Sequence, residues 1–103
     1  MEGLELICFE IISSVGTARS LYIEAIQEAK KENFEKAKEL IEEGNNMFNL
    51  GHKSHAKLIQ EEAKGNATEF SLLLMHAEDQ LMSAEAFKIL SLEFIELYGR
   101  IKR

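Results

Sequence analysis

Four polar side chains share one side of an apolar segment in the last third of the sequence. The spacing i, i+3, i+4 and i+7, which places residues on one face of an α-helix, is occupied by His76, Asp79, Gln80 and Ser83. A carboxylate and an imidazole are costly to bury without partners. The group is therefore either a solvent-exposed polar stripe or a site that uses a histidine nucleophile or ligand together with a carboxylate.

The other candidate reactive residues are weaker. His52 and His55 are three residues apart and could share a metal ion, but no cysteine or carboxylate completes a known ligand spacing, so the sequence favours plain surface or core histidines. Cys8 lies among apolar residues with no basic neighbour, which favours a packed thiol over a nucleophile. A Glu-x-x-His pair and a glycine-rich phosphate loop are both missing, so di-iron and nucleotide chemistry are not indicated.

Long helices must position these residues, because the chain has no proline and only 6 glycines. The first helix is predicted over 4–31, with a buried seam at steps of three and four: Leu4, Cys8, Ile11, Val15, Ala18, Tyr22, Ala25 and Ala29. Asn33 is the predicted N-cap of a second helix that ends near Lys64. Two glycines and three asparagines between Glu43 and Lys53 could break it, but the three-four spacing passes through without a phase slip and favours continuity. Gly65 is the predicted stop, and Asn66 or Thr68 caps a third helix over 69–100. Short connections make this an all-α, antiparallel up-down-up bundle.

Length and charge narrow the class of protein. The 103 residues predict a single domain, 1–103, and the formal net charge of -6 argues against a nucleic-acid partner. The longest purely apolar runs are four residues, so no membrane insertion is expected, and the lone cysteine suits the cytoplasm. The third helix is apolar around most of its circumference, which predicts that further copies of the chain cover it.

The run from His76 to Met82 resembles the active-site segment of the lactose/cellobiose class of enzyme IIA, the phosphocarrier subunits of the bacterial sugar phosphotransferase system. Its His-Ala-x-Asp-x-Leu-Met core is specific for that family. The likeness extends in register over nearly the whole chain, including Gly16–Ser20, Glu24–Ile26, Ala29–Lys30, Phe34–Ile41, His52–Lys53, Ile59, Glu62–Ala63 and Glu96–Tyr98.

This resemblance implies a homotrimer in which three helices per subunit form one nine-helix bundle. It places His76 on the family's phosphorylated histidine, which receives phosphate from HPr and passes it to a cysteine of the IIB subunit. It places Asp79 on the aspartate that gathers at the threefold axis and binds one divalent metal ion, usually magnesium. The rival interpretation is a non-catalytic helical adaptor or scaffold, in which the polar stripe only fixes register.

Two residues depart from the family pattern. Gln80 stands where the lactose type has a second histidine, which favours uptake of a β-linked disaccharide of the cellobiose or chitobiose kind over lactose. Gln80 and Ser83 can donate hydrogen bonds to a phosphoryl group. His55 stands where the family commonly has glutamine, and the predicted helix register places it at the level of Asp79. One hypothesis is that His55 faces the interior there and tunes the site through a hydrogen bond. The alternatives are a histidine on the outside of the bundle, or one buried far from Asp79 because the turns are longer.

Overall fold

Three long helices make up the fold in the computed structural model, which describes residues 2–101. They are α1 (Glu2–Lys30), α2 (Phe34–Ala63) and α3 (Leu72–Ile101). Contacts between α1 and α2 run in opposite chain directions, from Val15 opposite Gly51 to Tyr22 opposite Asn45. The subunit is a rod of 56 × 20 × 20 Å, and within the described range no strand interrupts it. The predicted all-α, up-down-up arrangement is confirmed.

The central helix is α1, whose predicted seam is buried from Cys8 to Ala29. An 18-residue window within Gly3–Lys30 has a mean hydropathy of 1.3, so α1 is long and apolar enough to cross a membrane by length and composition. The length of the apolar runs does not indicate this mean hydropathy, because scattered polar residues interrupt a helix that is hydrophobic on average. The apolar seam packs against both other helices, as expected for the core helix of a bundle.

The α1–α2 interface is close because α2 presents glycines to it. A Cβ atom added at Gly51 would lie 2.5 Å from Cγ1 of Val15, and one added at Gly44 would lie 2.6 Å from the ring of Tyr22. The Tyr22 hydroxyl donates a hydrogen bond to Oδ1 of Asn45 at 2.7 Å. The helix stays continuous through both glycines, as the unbroken three-four spacing predicts.

The helix ends differ in detail from the prediction. Asn33 occupies the N-cap position, but its side-chain amide donates to Glu28 instead of capping α2. Gly65 ends α2 with a φ of +95°, a conformation that suits glycine, as expected. The third helix begins at Leu72 rather than Glu69, because Ser71, not Asn66 or Thr68, accepts the N–H of Leu74 at 3.1 Å.

Candidate functional site

The predicted site residues lie together in the N-terminal half of α3, with His76 five positions into the helix. His76 and Asp79 are exposed, whereas Gln80 and Ser83 are half-buried. Within residues 2–101 the His76 ring forms no hydrogen bond, so its nitrogens are open to a reactant. At a rise of 1.5 Å per residue, Gln80 and Ser83 follow His76 by about 6 Å and about 10 Å along the helix.

A cation from α1 joins this group. The Arg19 guanidinium donates a hydrogen bond from Nη1 to Oγ of Ser83 at 3.1 Å. Arg19 is half-buried, and no carboxylate among the described residues pairs with it. Sequence reasoning did not assign it a role, although it is the only Lys or Arg before Lys30. The flank of α3 that carries His76 therefore also carries positive charge.

The opposite flank of α3 carries a second polar contact. His55 Nε2 lies 2.6 Å from Oε2 of Glu78, and the His55 side chain is only 16% exposed. The structure confirms that His55 is mostly buried and lies at nearly the predicted height along α3, since it contacts Glu78, one residue from Asp79. Its partner is Glu78, because successive residues turn by about 100° around a helix, and this turn points Asp79 to the open face.

The remaining candidates form no site. Burial, and after it the charge of Glu78, raises the pKa of the Cys8 thiol, so Cys8 is protonated and poorly nucleophilic at neutral pH. His52 stacks on Phe48 with a ring-centroid distance of 6.0 Å. In one subunit, no cluster of three or more metal-ligating side chains occurs among residues 2–101. A shared metal at His52 and His55 is therefore not supported.

Exposed apolar side chains surround the polar group. Leu72, Met75 and Met82 are 83%, 51% and 64% exposed. They belong to an exposed stripe along α3, with steps of three and four and with Asp79 within it: Leu72, Met75, Asp79, Met82, Ala86, Ile89, Glu93 and Leu97. We call this the α3 stripe. Its spacing is that of a helix seam that packs against other helices.

Known proteins are similar to this chain in sequence and in fold. Residues 6–99 match the family described as PTS system, lactose/cellobiose-specific IIA subunit. A lactose-specific EIIA component of Staphylococcus epidermidis is 39% identical over 99 residues, which span 96% of this chain and 95% of that protein.

Solved structures agree with the sequence comparison. The cellobiose-specific enzyme IIA from Bacillus anthracis superposes with a TM-score of 0.92 at 41% identity, covering 94% of this chain and 89% of that one. A chitobiose IIA solved in complex with HPr gives a TM-score of 0.84 at 32% identity, covering 97% of both chains. The chain therefore belongs to the lactose/cellobiose-specific IIA family, whose members are phosphotransferase subunits of the sugar phosphotransferase system.

Proposed function

We propose that this member of the IIA family carries phosphate on His76, accepting it from phosphorylated HPr and passing it to a cysteine of a IIB subunit. The observation that supports this most is the exposed, unbonded ring of His76 within the His-Ala-x-Asp-x-Leu-Met core. A relative of this family has been solved with HPr bound, which supports HPr as the donor.

The chemistry follows from the side chains of this flank. A neutral imidazole nitrogen of His76 attacks the phosphorus in line, a new N–P bond forms, and the electron pair of the breaking bond returns to the donor histidine of HPr. A thiolate of IIB then attacks the phosphorus in line, an S–P bond forms, and the N–P bond breaks with its electron pair returning to the ring of His76.

Donors along the same flank stabilise the transferred charge. Gln80 offers an amide N–H one turn from His76, and Ser83 offers a hydroxyl one turn further. Because Arg19 donates to Oγ of Ser83, the oxygen acts as the acceptor there and its own proton remains free to donate. We infer that Arg19 orients Ser83 and adds positive charge beside the phosphoryl group.

Reconstitution with phosphoenolpyruvate, enzyme I and HPr tests this function. The wild-type protein should take up an acid-labile, base-stable phosphate, and His76→Ala should take up none while keeping its helicity. His52→Ala is the control, because His52 is an exposed histidine outside the flank, and it should label fully. Full labelling of His76→Ala would contradict the assignment, and an unlabelled wild-type protein would favour the scaffold interpretation.

The α3 stripe supports a homotrimer built as a nine-helix bundle. Its apolar members are exposed in the single subunit, and their heptad-like spacing is typical of helices that pack around a common axis. In a cyclic trimer, identical residues of parallel α3 helices meet at the same level. The three Asp79 carboxylates then converge within an apolar stripe.

Such a cluster of carboxylates fits a divalent cation. Asp79 is exposed and forms no ion pair within the described part of the chain, so its oxygens are available. We propose that three Asp79 side chains hold one divalent ion, most simply Mg²⁺, which prefers oxygen ligands and retains water. The ion would neutralise the mutual repulsion of the carboxylates and hold the trimer together.

Asp79→Leu tests the metal proposal. Replacing a buried charge cluster with apolar side chains is often neutral or stabilising, so the variant should remain a trimer, or become a more stable one, when divalent metal is removed. Sedimentation equilibrium with and without EDTA measures this. Dissociation of Asp79→Leu into monomers in both conditions would show that the ion is indispensable for the trimer, and a wild-type trimer that EDTA leaves unchanged would contradict the proposal.

We further propose that the chain works in the cytoplasm and serves uptake of a β-linked disaccharide of the cellobiose or chitobiose type. Gln80, in place of the second histidine of the lactose type, is the residue that favours this choice. Phosphate transfer from the labelled protein to IIB subunits of both types tests it. Faster transfer to a cellobiose or chitobiose IIB supports the choice, and faster transfer to a lactose IIB contradicts it.

A further inference from the structure

The helix end that carries His76 has little packing of its own. Residues 66–71 before it are not helical, and Phe70 and Leu72 are 79% and 83% exposed. The first fully buried residue of α3 is Ala77, one position after His76. Leu73 and Leu74 are half-buried against the core. Helix ends fray when few fully buried contacts hold them, so each further contact of this segment reduces its fraying.

The gap between α2 and α3 is open at this end. A groove of about 480 Å³ separates the two helices beyond Glu78, and it is lined by Ile59, Glu62, Thr68, Phe70, Leu74, Met75 and Glu78. Packing against α2 therefore does not hold the first two turns of α3. Leu73 and Leu74 pack against the core on the other side, and the contact at the Glu78 end of the groove adds a restraint towards α2.

The contact between His55 and Glu78 stands at that end. Within residues 2–101 it is the only hydrogen bond between α2 and α3. At 2.6 Å, His55 Nε2–H donates to a carboxylate oxygen, and such charge-assisted bonds are stronger than neutral ones. The His55 side chain on α2 is only 16% exposed, which restricts the motion of its ring, and Glu78 is two residues from His76.

We propose that His55, acting through Glu78, is a positioning residue that fixes the first two turns of α3, and with them His76, relative to α2. The statement about position stands on geometry alone, whereas its effect on phosphoryl transfer rests on the proposed function. A reacting nitrogen that loses its fixed position reacts more slowly even when the partner still docks, because productive orientations become rarer.

Amide hydrogen exchange tests the positional claim without any phosphate chemistry. In His55→Ala, amides of residues 75–79 should exchange about five- to tenfold faster, as expected from loss of one partly exposed charged hydrogen bond. His55→Gln should restore slow exchange, because its amide can donate to Glu78. Glu78→Ala should give the same increase as His55→Ala, and the double variant no more. Glu78→Ala also leaves the α2 side intact, should His55→Ala fail to fold.

Phosphoryl-transfer kinetics test the functional consequence. With phosphorylated HPr as substrate, His55→Ala should lower kcat about fivefold at unchanged KM, and His55→Gln should recover most of it. His52→Ala, an exposed histidine three residues away on α2, is the matched control and should change neither exchange nor kcat.

The outcomes separate this inference from the proposed function. Unchanged exchange in both His55→Ala and Glu78→Ala, or an equal increase in His52→Ala, overturns the positional claim. Faster exchange with unchanged kcat overturns the role in transfer. A wild-type protein that accepts no phosphate overturns the proposed function and leaves the positional claim to the exchange data.

Discussion

The α1–α2 interface and the α3 stripe are both apolar, yet the subunit closes only the first. Between α1 and α2, Val15 and Tyr22 are fully buried against Gly51 and Gly44, at distances that leave no room for a side chain. Along the α3 stripe, side chains such as Leu72 and Met82 remain more than half exposed. The two surfaces differ in their packing: the chain packs its own side chains against the first surface and leaves the second exposed.

This difference separates folding from function. An interface that is fully complemented within the chain provides stability and has no surface left for partners. An uncomplemented apolar stripe is available for contact with other proteins, and in this subunit it contains Asp79 and runs beside His76. We infer that α1 and α2 form the support, and that α3 provides the surface for assembly and transfer.

The largest expected effect comes from placing a charge on the α3 stripe. Ile89 is 59% exposed in the subunit, so Ile89→Glu should leave the subunit folded but prevent burial of the stripe in a trimer. Sedimentation equilibrium should then report a monomer of 11.7 kDa. The matched control is Leu50→Glu on α2, where the leucine is 54% exposed but lies outside the stripe. If Leu50→Glu dissociated the trimer and Ile89→Glu did not, the assembly surface would lie on α2 and not on the α3 stripe.

A smaller effect, on stability, is expected from Tyr22 in the closed interface. Burial raises the pKa of Tyr22 to about 12, compared with an ordinary value near 10. Above pH 10 the unfolded chain loses this proton and the folded chain retains it, so stability falls as the pH rises towards 12. The loss should reach about 2–3 kcal/mol.

Tyr22→Phe isolates this effect. The variant lacks the titrating hydroxyl, and also its hydrogen bond to Asn45, so it should be less stable near pH 8 and should lose less stability between pH 10 and pH 12. Urea unfolding at one protein concentration measures both proteins. An equal loss of stability with pH in both proteins would show that Tyr22 is not protected from solvent.

The smallest effect is expected from one added methyl group. Gly51→Ala places a Cβ against the branched, buried side chain of Val15, and overpacking of this kind costs about 1–2 kcal/mol after the helix-propensity gain of alanine. Val15→Ala removes the methyl groups that the new Cβ would contact. In the Val15→Ala background, Gly51→Ala should therefore cost less stability than it does in the wild-type protein. Gly16→Ala is the control, because among residues 2–101, apart from the neighbouring backbone of its own helix, no atom lies within 4 Å of its added Cβ. Equal stability of both glycine variants would argue against a tight interface.

Periodicity alone predicted the helices and their register. The α1 seam, the continuity of α2 through its glycines and the level of His55 follow from steps of three and four and from the rise per residue, which depend on position along the chain. The start of α3 could not be found in this way, because Asn66, Thr68 and Ser71 are all good caps and the choice depends on the tertiary path. Asn33 likewise has an alternative partner in Glu28 that the local sequence does not reveal.

The sequence names the residues of the candidate site, but it does not reveal the contacts around them. The spacing of His76, Asp79, Gln80 and Ser83 identifies one helix face, and the resemblance assigns their roles. The contact of Arg19 with Ser83 depends on the rotamer of a long, flexible side chain on α1, which the sequence does not determine. His55 contacts Glu78 and not Asp79 because of the rotational orientation of α3 about its axis. The height of a residue along the helix does not determine that orientation.

The most direct test of the central claim is to observe which histidine accepts the phosphate. Ring-nitrogen NMR spectra of protein labelled with ¹⁵N-histidine, recorded before and after treatment with phosphoenolpyruvate, enzyme I and HPr, follow all 3 histidines at once. We predict that only the ring nitrogens of His76 shift to a phosphohistidine pattern, and that those of His52 and His55 do not. A phosphohistidine pattern at His52 or His55, with His76 unchanged, would contradict the account.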